Sequence, residues 1–116
     1  MGRKYVLVTL SSGRRSLKDV KAFIDTGADV TILSTKVAKK LGIKDPGIRI
    51  NWTASDGNNK QSPVVQVKMK TDEEKDFISL DYVILDDSPM DVENKEEVIL
   101  GLDFLQKAKK VLDFND

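Results

Sequence analysis

Apolar and polar positions alternate in short runs along the first third of the chain. Tyr5 to Leu10 is rich in β-branched and aliphatic residues, Ser11-Ser12-Gly13-Arg14-Arg15 is polar and turn-prone, and Val20 to Ile24 is apolar again. That pattern predicts a hairpin whose second strand delivers Asp25. Val30 to Leu33 predicts a further strand, after which Ser34 is placed to cap a short helix running through Leu41. Val37, Ala38 and Leu41 give that helix its apolar face, and Gly42 follows where a left-handed residue ends a helix. Ile48 to Thr53 and Pro63 to Met69 flank a polar stretch from Ala54 to Gln61, which predicts a hairpin with an exposed tip and with Val65, Val67 and Met69 on one face.

Thr71 to Asp76 is a charged loop, and Ile78, Leu80, Tyr82 and Ile84 then alternate with Ser79, Asp81 and Val83. The alternation is imperfect, which suits a strand buried on both faces. Asp86 to Glu97 is acidic, contains Pro89 and shows neither period, so a surface loop with solvated charge is expected. Val98-Ile99-Leu100 predicts a short strand ending at Gly101. Leu102 to Lys110 predicts a helix with Phe104, Leu105 and Ala108 inward and Lys107, Lys109 and Lys110 at the end where its dipole favours cations. Val111 to Phe114 closes the chain as a strand. The sum is one mostly β domain over residues 1–116 with one or two short helices, and no internal repeat or linker divides it.

The 116 residues suit one lobe rather than two. Lysine plus arginine and aspartate plus glutamate each total 19, so no global field points to nucleic acid or a membrane. The absence of cysteine removes disulfides and thiolate nucleophiles, and the absence of histidine removes a Ser-His triad and imidazole metal sites. The apolar run at the N-terminus is too short for a signal peptide, so a soluble cytoplasmic protein is expected.

Asp25 ends an apolar strand, where Phe23 and Ile24 draw a carboxylate toward the interior and oblige it to find donors or a proton. Thr26 offers a hydroxyl, and Gly27 lets the backbone turn and bring an amide close. Asp-Thr-Gly alone is also a good structural turn. If it is chemical, one carboxylate is not enough: peptide hydrolysis by carboxylates needs one group to deprotonate water and another to protonate the carbonyl oxygen. Asp25, Asp29, Asp86, Asp87 and Asp91 do not form an oxygen-ligand loop, so neither metal nor cofactor is expected.

The longer string Phe23-Ile24-Asp25-Thr26-Gly27-Ala28-Asp29-Val30-Thr31-Ile32-Leu33-Ser34 resembles the retropepsin-like aspartic proteases, which include retroviral enzymes and cellular Ddi1-type proteases. Val98 to Leu105 resembles that family's apolar-apolar-Gly segment and the helix after it, at matching order and spacing. The resemblance implies a closed acid-protease β-barrel lobe with a flap hairpin, acting as a homodimer that binds a peptide as an extended strand. It implies that Asp25 is catalytic and that Thr26 bonds across the dimer axis within the loop Thr26, Gly27 and Ala28. Gly27 and Asp29 would bind substrate backbone, as would a flap tip of Ala54, Ser55, Asp56 and Gly57. A catalytically silent dimerisation or peptide-binding module is the alternative that the same resemblance leaves open. Dimer contacts are expected from Tyr5 to Leu10 and Val111 to Phe114.

Two departures from the family pattern carry expectations. Ala28 offers no hydroxyl to the carboxylates, which predicts a pH optimum nearer mildly acidic or neutral than strongly acidic. Leu102 stands where retroviral enzymes have an arginine that pairs with the equivalent of Asp29, so that bridge is absent or comes from Arg3, Arg14 or Arg15.

Overall fold

The computed structural model describes residues 4–44, 47–54 and 56–108. Its first two strands, β1 (Tyr5–Ser12) and β2 (Arg15–Ile24), form the expected hairpin around a tighter turn at Gly13 and Arg14. The ladder slips by one residue between Val8↔Val20 and Leu10↔Leu17, so β2 holds an extra residue there, and Asp19 takes a positive φ of 58°. Such a bulge reverses side-chain alternation. It lets Leu17 and Val20, three positions apart, both pack on the core.

Next come β3 (Ile32–Leu33) and the helix α1 (Thr35–Lys40). Ser34 caps the helix as its sequence predicts, its hydroxyl accepting the Val37 amide at 3.2 Å, and Gly42 ends it at φ 72°. β3 is shorter than the run from Val30 suggests, because the Thr31 amide bonds a side chain rather than a neighbouring strand.

The hairpin β4 (Arg49–Thr53) and β5 (Asn59–Thr71) has a shorter tip than its polar composition implies. Asn59 to Ser62 pair with Thr53 to Ile50 although they are hydrophilic, since two of them find polar partners: Lys60 pairs with Asp86, and the buried Ser62 hydroxyl accepts the Trp52 indole N–H. Further along, Val65, Val67 and Met69 are buried on one core face, as expected.

β6 (Ile78–Leu85) is not buried on both faces throughout. Tyr82 remains 45 % exposed, and a one-residue slip between Val65↔Val83 and Val67↔Leu80 puts both Leu80 and Val83 inside. Only Val83 to Leu85 form a continuous buried run. The chain ends its described part with β7 (Val98–Leu100) and α2 (Leu102–Lys107), whose Phe104 and Leu105, with Ala108 just beyond, are buried. Val111 to Phe114, Lys109 and Lys110 lie outside the described residues.

Six strands close a ring in the order β1, β2, β7, β3, β6, β5, with β5 pairing back onto β1, and β4 extends from β5 as a seventh strand. Closure consumes the edges of β1 and β5 that a flat sheet would expose. Two of the pairings, β2 with β7 and β3 with β6, are parallel and bring distant parts of the chain side by side. The main core fills the ring, whereas Ile32, Ile84 and Ile99 form a smaller apolar cluster beneath β4 with Ile50 and Trp52 packed against it.

The acidic stretch 86–97 is more structured than a solvated loop. Asp87 Oδ1 accepts the Thr35 amide at 2.8 Å, and Glu96, only 4 % exposed, accepts the Tyr5 hydroxyl at 2.7 Å. Asp86, Asp91 and Glu96 likewise accept from backbone amides within the stretch, so these carboxylates shape the loop.

Candidate active site

The loop after β2 takes its shape from β7 and α2. The Asp25 amide donates to the Leu100 carbonyl at 3.0 Å, and the Ala28 amide returns to the Asp25 carbonyl at 3.2 Å, closing a turn. The carbonyls of Ala28 and Asp29 then accept the amides of Leu102 (2.8 Å) and Asp103 (3.2 Å). Those amides open α2 and have no partner within the helix, and Gly101 in the capping position offers no side chain. The loop thus caps the helix while the helix holds the loop.

Within this frame the Gly27 amide donates to Asp25 Oδ1 at 2.9 Å, the close approach that a glycine two residues on predicts. Asp25 is half-buried, and Thr26 and Gly27 are exposed beside it.

Asp25, Gly27, Ala28 and Asp29 line one wall of a cleft of about 470 Å³. Val30, Ile32, Ile84 and Ile99 extend that wall, Tyr82 and Pro89 bound one side, and Ile50 to Ala54 of the hairpin cover it. The cleft is apolar with a few polar groups near one carboxylate, the form of a site that binds a mixed polar and apolar chain. Of the four residues expected at the hairpin tip, Ala54 lines the cleft. Asp56 accepts the Asn58 amide at 3.0 Å, and the Gly57 amide donates to Ala54, so both build the turn itself. Ser55 lies outside the described residues.

Asp29 meets no lysine or arginine among the described residues. Arg15 instead reaches across Gly42 toward the Lys40 carbonyl, Arg14 stays exposed in the β1–β2 turn, and Arg3 lies outside the described residues. Where a retroviral arginine would stand, Leu102 contributes its backbone, and the bracing side chain is the next one. Asp103 takes both the hydroxyl and the amide of Thr31, and the Thr31 hydroxyl in turn accepts the Gly101 amide at 3.2 Å.

Sequence reasoning overlooked Thr31 and Asp103 as a pair. The available signal was an acid in the first turn of a helix that lacks a capping side chain. It placed Trp52 in the arm of the hairpin but missed Lys60, which with Trp52 belongs to the hairpin's attachment to the barrel. Among the described residues no three carboxylates gather into a metal-binding group, and no helix is long and apolar enough to cross a membrane.

Comparison with known proteins gives this arrangement a lineage. The protein called DDI1 homolog 2 in Danio rerio is 33 % identical over 96 residues, covering 81 % of this chain and 22 % of that protein. DNA damage-inducible protein 1 of Saccharomyces cerevisiae is 32 % identical over 102 residues, covering 84 % of this chain and 21 % of that protein. The chain thus spans about a fifth of the length of these curated relatives.

Among solved structures, the EIAV protease in complex with the inhibitor HBY-793 superposes with a TM-score of 0.62 at 20 % identity, covering 97 % of this chain and 94 % of the other. A retropepsin-like aspartic protease from Rickettsia conorii gives 0.56 at 18 % identity, covering 91 % and 71 %. The retroviral protease-like domain of Ddi1 from Leishmania major gives 0.52 at 19 %, covering 91 % and 78 %; these likenesses establish the fold. The family model described as "gag-polyprotein putative aspartyl protease" matches residues 14–107, and the chain belongs to that retropepsin-like family.

Proposed function

We propose that the chain is one half of a homodimeric aspartic endopeptidase in which Asp25 and its symmetry mate hold and activate the attacking water. The observation that carries this reading is the Asp25 carboxylate, fixed by the Gly27 amide at the mouth of an apolar cleft roofed by a hairpin. One such group per chain supplies half of the chemistry. Two carboxyls brought together share a proton, one acting as base toward water and the other as acid toward the peptide carbonyl.

The substrate is an extended peptide, read along its backbone by Gly27 and Asp29 and by its side chains against Val30, Ile32 and Ile84. The hairpin excludes water once peptide is bound. Thr26, exposed beside Asp25, is the residue that joins the two loops across the axis.

The test is cleavage of an unfolded protein mixture by the wild type and by Asp25→Asn, with sedimentation of both. The substitution keeps an acceptor for the Gly27 amide and removes the charge. Cleavage should vanish while the dimer persists. If the wild type sediments only as a monomer, or cuts nothing between mildly acidic and neutral pH, the reading fails.

A further inference from the structure

The hairpin that covers the cleft is tied to the barrel by a polar contact on its return strand. Lys60 stands opposite Trp52 in the β4–β5 ladder, and its Nζ lies 5.7 Å from the centre of the indole ring. The same ammonium forms an ion pair with Asp86 Oδ2 at 3.2 Å and donates to the Ser88 hydroxyl oxygen. Asp86 is itself firmly seated. Its amide donates to Leu33 at 3.1 Å, and its carboxylate accepts the Ser88 amide at 2.9 Å and the Ser88 hydroxyl at 3.0 Å. Trp52 is also held through its indole N–H, which donates to Ser62 Oγ at 3.0 Å.

One cation therefore touches the hairpin at Trp52 and the wall at Asp86 and Ser88, and both Trp52 and Pro89, the residue after Ser88, line the cleft. We propose that Lys60 is a positioning residue that latches the β4–β5 hairpin to the wall at Asp86 and Ser88, setting the position of Trp52 over the cleft. Most of the pair is shielded, with 23 % of the Lys60 side chain and 14 % of the Asp86 side chain exposed. It is accordingly stronger than a free surface pair yet still open to exchange with water and salt. A contact of that strength suits a cover that must lift for each substrate, whereas an apolar seal would hold it down.

The inference rests on the protease reading for its consequence in catalysis, but the latch has a readout of its own, since Trp52 is the single tryptophan of the chain. Acrylamide quenching of its fluorescence is measured for the wild type and for Lys60→Met, Lys60→Arg, Asp86→Asn and the Lys60→Met/Asp86→Asn pair, each checked for a cooperative thermal transition. Lys60→Met keeps most of the aliphatic stem and removes the cation, and should raise quenching about three-fold, the scale of one partly shielded ion pair. Asp86→Asn should do the same, the double variant should be no worse than either single, and Lys60→Arg should stay near the wild type. Raising salt to about 1 M, where screening acts over about 3 Å, should move the wild type toward the variants and leave them unchanged.

Where peptide cleavage is measurable, Lys60→Met should raise KM with little change in kcat, as expected for lost binding that acts equally on substrate and transition state. Because fluorescence reports the hairpin whether or not the chain cuts peptides, absent cleavage with the expected quenching counts against the protease reading alone. Quenching of both single variants equal to the wild type, or additive effects in the double variant, would overturn the latch.

Discussion

Asp103 holds Thr31 twice, its Oδ1 accepting the hydroxyl at 2.7 Å and its Oδ2 accepting the backbone amide at 3.2 Å. Thr31 is completely buried, so both donors depend on that carboxylate. Asp103→Ala should cost about 3 kcal/mol of stability, the scale of stranding buried donors, whereas Asp103→Asn should cost roughly half as much, because its carboxamide keeps one acceptor oxygen and strands only one of the two donors. Urea unfolding of both variants checks this, with unchanged m-values showing that stability alone moved. Equal losses would mean that the loop needs both acceptor oxygens and that one of them is no better than none.

Gly101 sits where no side chain fits. A Cβ there would lie 2.6 Å from the carbonyl carbon and oxygen of Val30 and 2.9 Å from the Ala28 carbonyl oxygen, all of them backbone atoms. Gly101→Ala should therefore destabilise by about 3 kcal/mol or more, since relief requires moving the loop that carries Asp25. Thermal unfolding reads the loss, and any protein that still folds should show a disturbed cleft.

Acid should weaken the hairpin's attachment. Burial pushes the Asp86 carboxyl upward, but the Ser88 amide, the Lys60 ammonium and the Ser88 hydroxyl outweigh it and leave the group below its ordinary value of 3.8. A depressed folded value means that the contribution is complete above the unfolded value and is lost as pH falls through the folded one. The stability difference between wild type and Asp86→Asn should thus be steady from neutrality to about pH 5 and shrink below about pH 4. Denaturant titrations at several pH values check it. A difference that grows with acidity would contradict the assignment.

Ala28 bears on the chemistry proposed for the dimer. A serine there would supply a hydroxyl to the carboxylates, favour their charged form and move the acidic limb of the pH–rate profile down by about one unit. Steady-state rates of Ala28→Ser against the wild type measure this. An unchanged acidic limb would place the side chain of residue 28 away from the paired carboxylates.

Local chemistry made much of this fold legible. Ser34 and Gly42 mark the ends of α1 because capping depends on a few adjacent atoms, and the apolar lead-in to Asp25 marks the end of β2. The bulges at Asp19 and within β6 were not legible, because register is decided by the partner strand and the sequence of one strand does not contain it. Polar composition misled at residues 59–62, where Lys60 and Ser62 are matched by Asp86 and Trp52, and again at Glu96, whose burial depends on Tyr5, ninety-one positions away. The motif around Asp25 could be read directly. Its supports were legible only in part: the strand ending at Gly101 could be read, but Thr31 and Asp103 become neighbours only when the barrel closes.

That closure gives the molecule a sense of timing. The shape of the Asp25 loop depends on Leu100, Gly101 and Asp103, more than seventy positions downstream, and on a parallel pairing of β2 with β7 that no local turn can nucleate. Contacts so distant in sequence form late, because loop-closure entropy must be met before they are rewarded. During synthesis, a growing chain that stops short of Gly101 carries the Asp-Thr-Gly letters with nothing to shape them. The carboxylate acquires its setting only once residues up to Asp103 have joined the barrel.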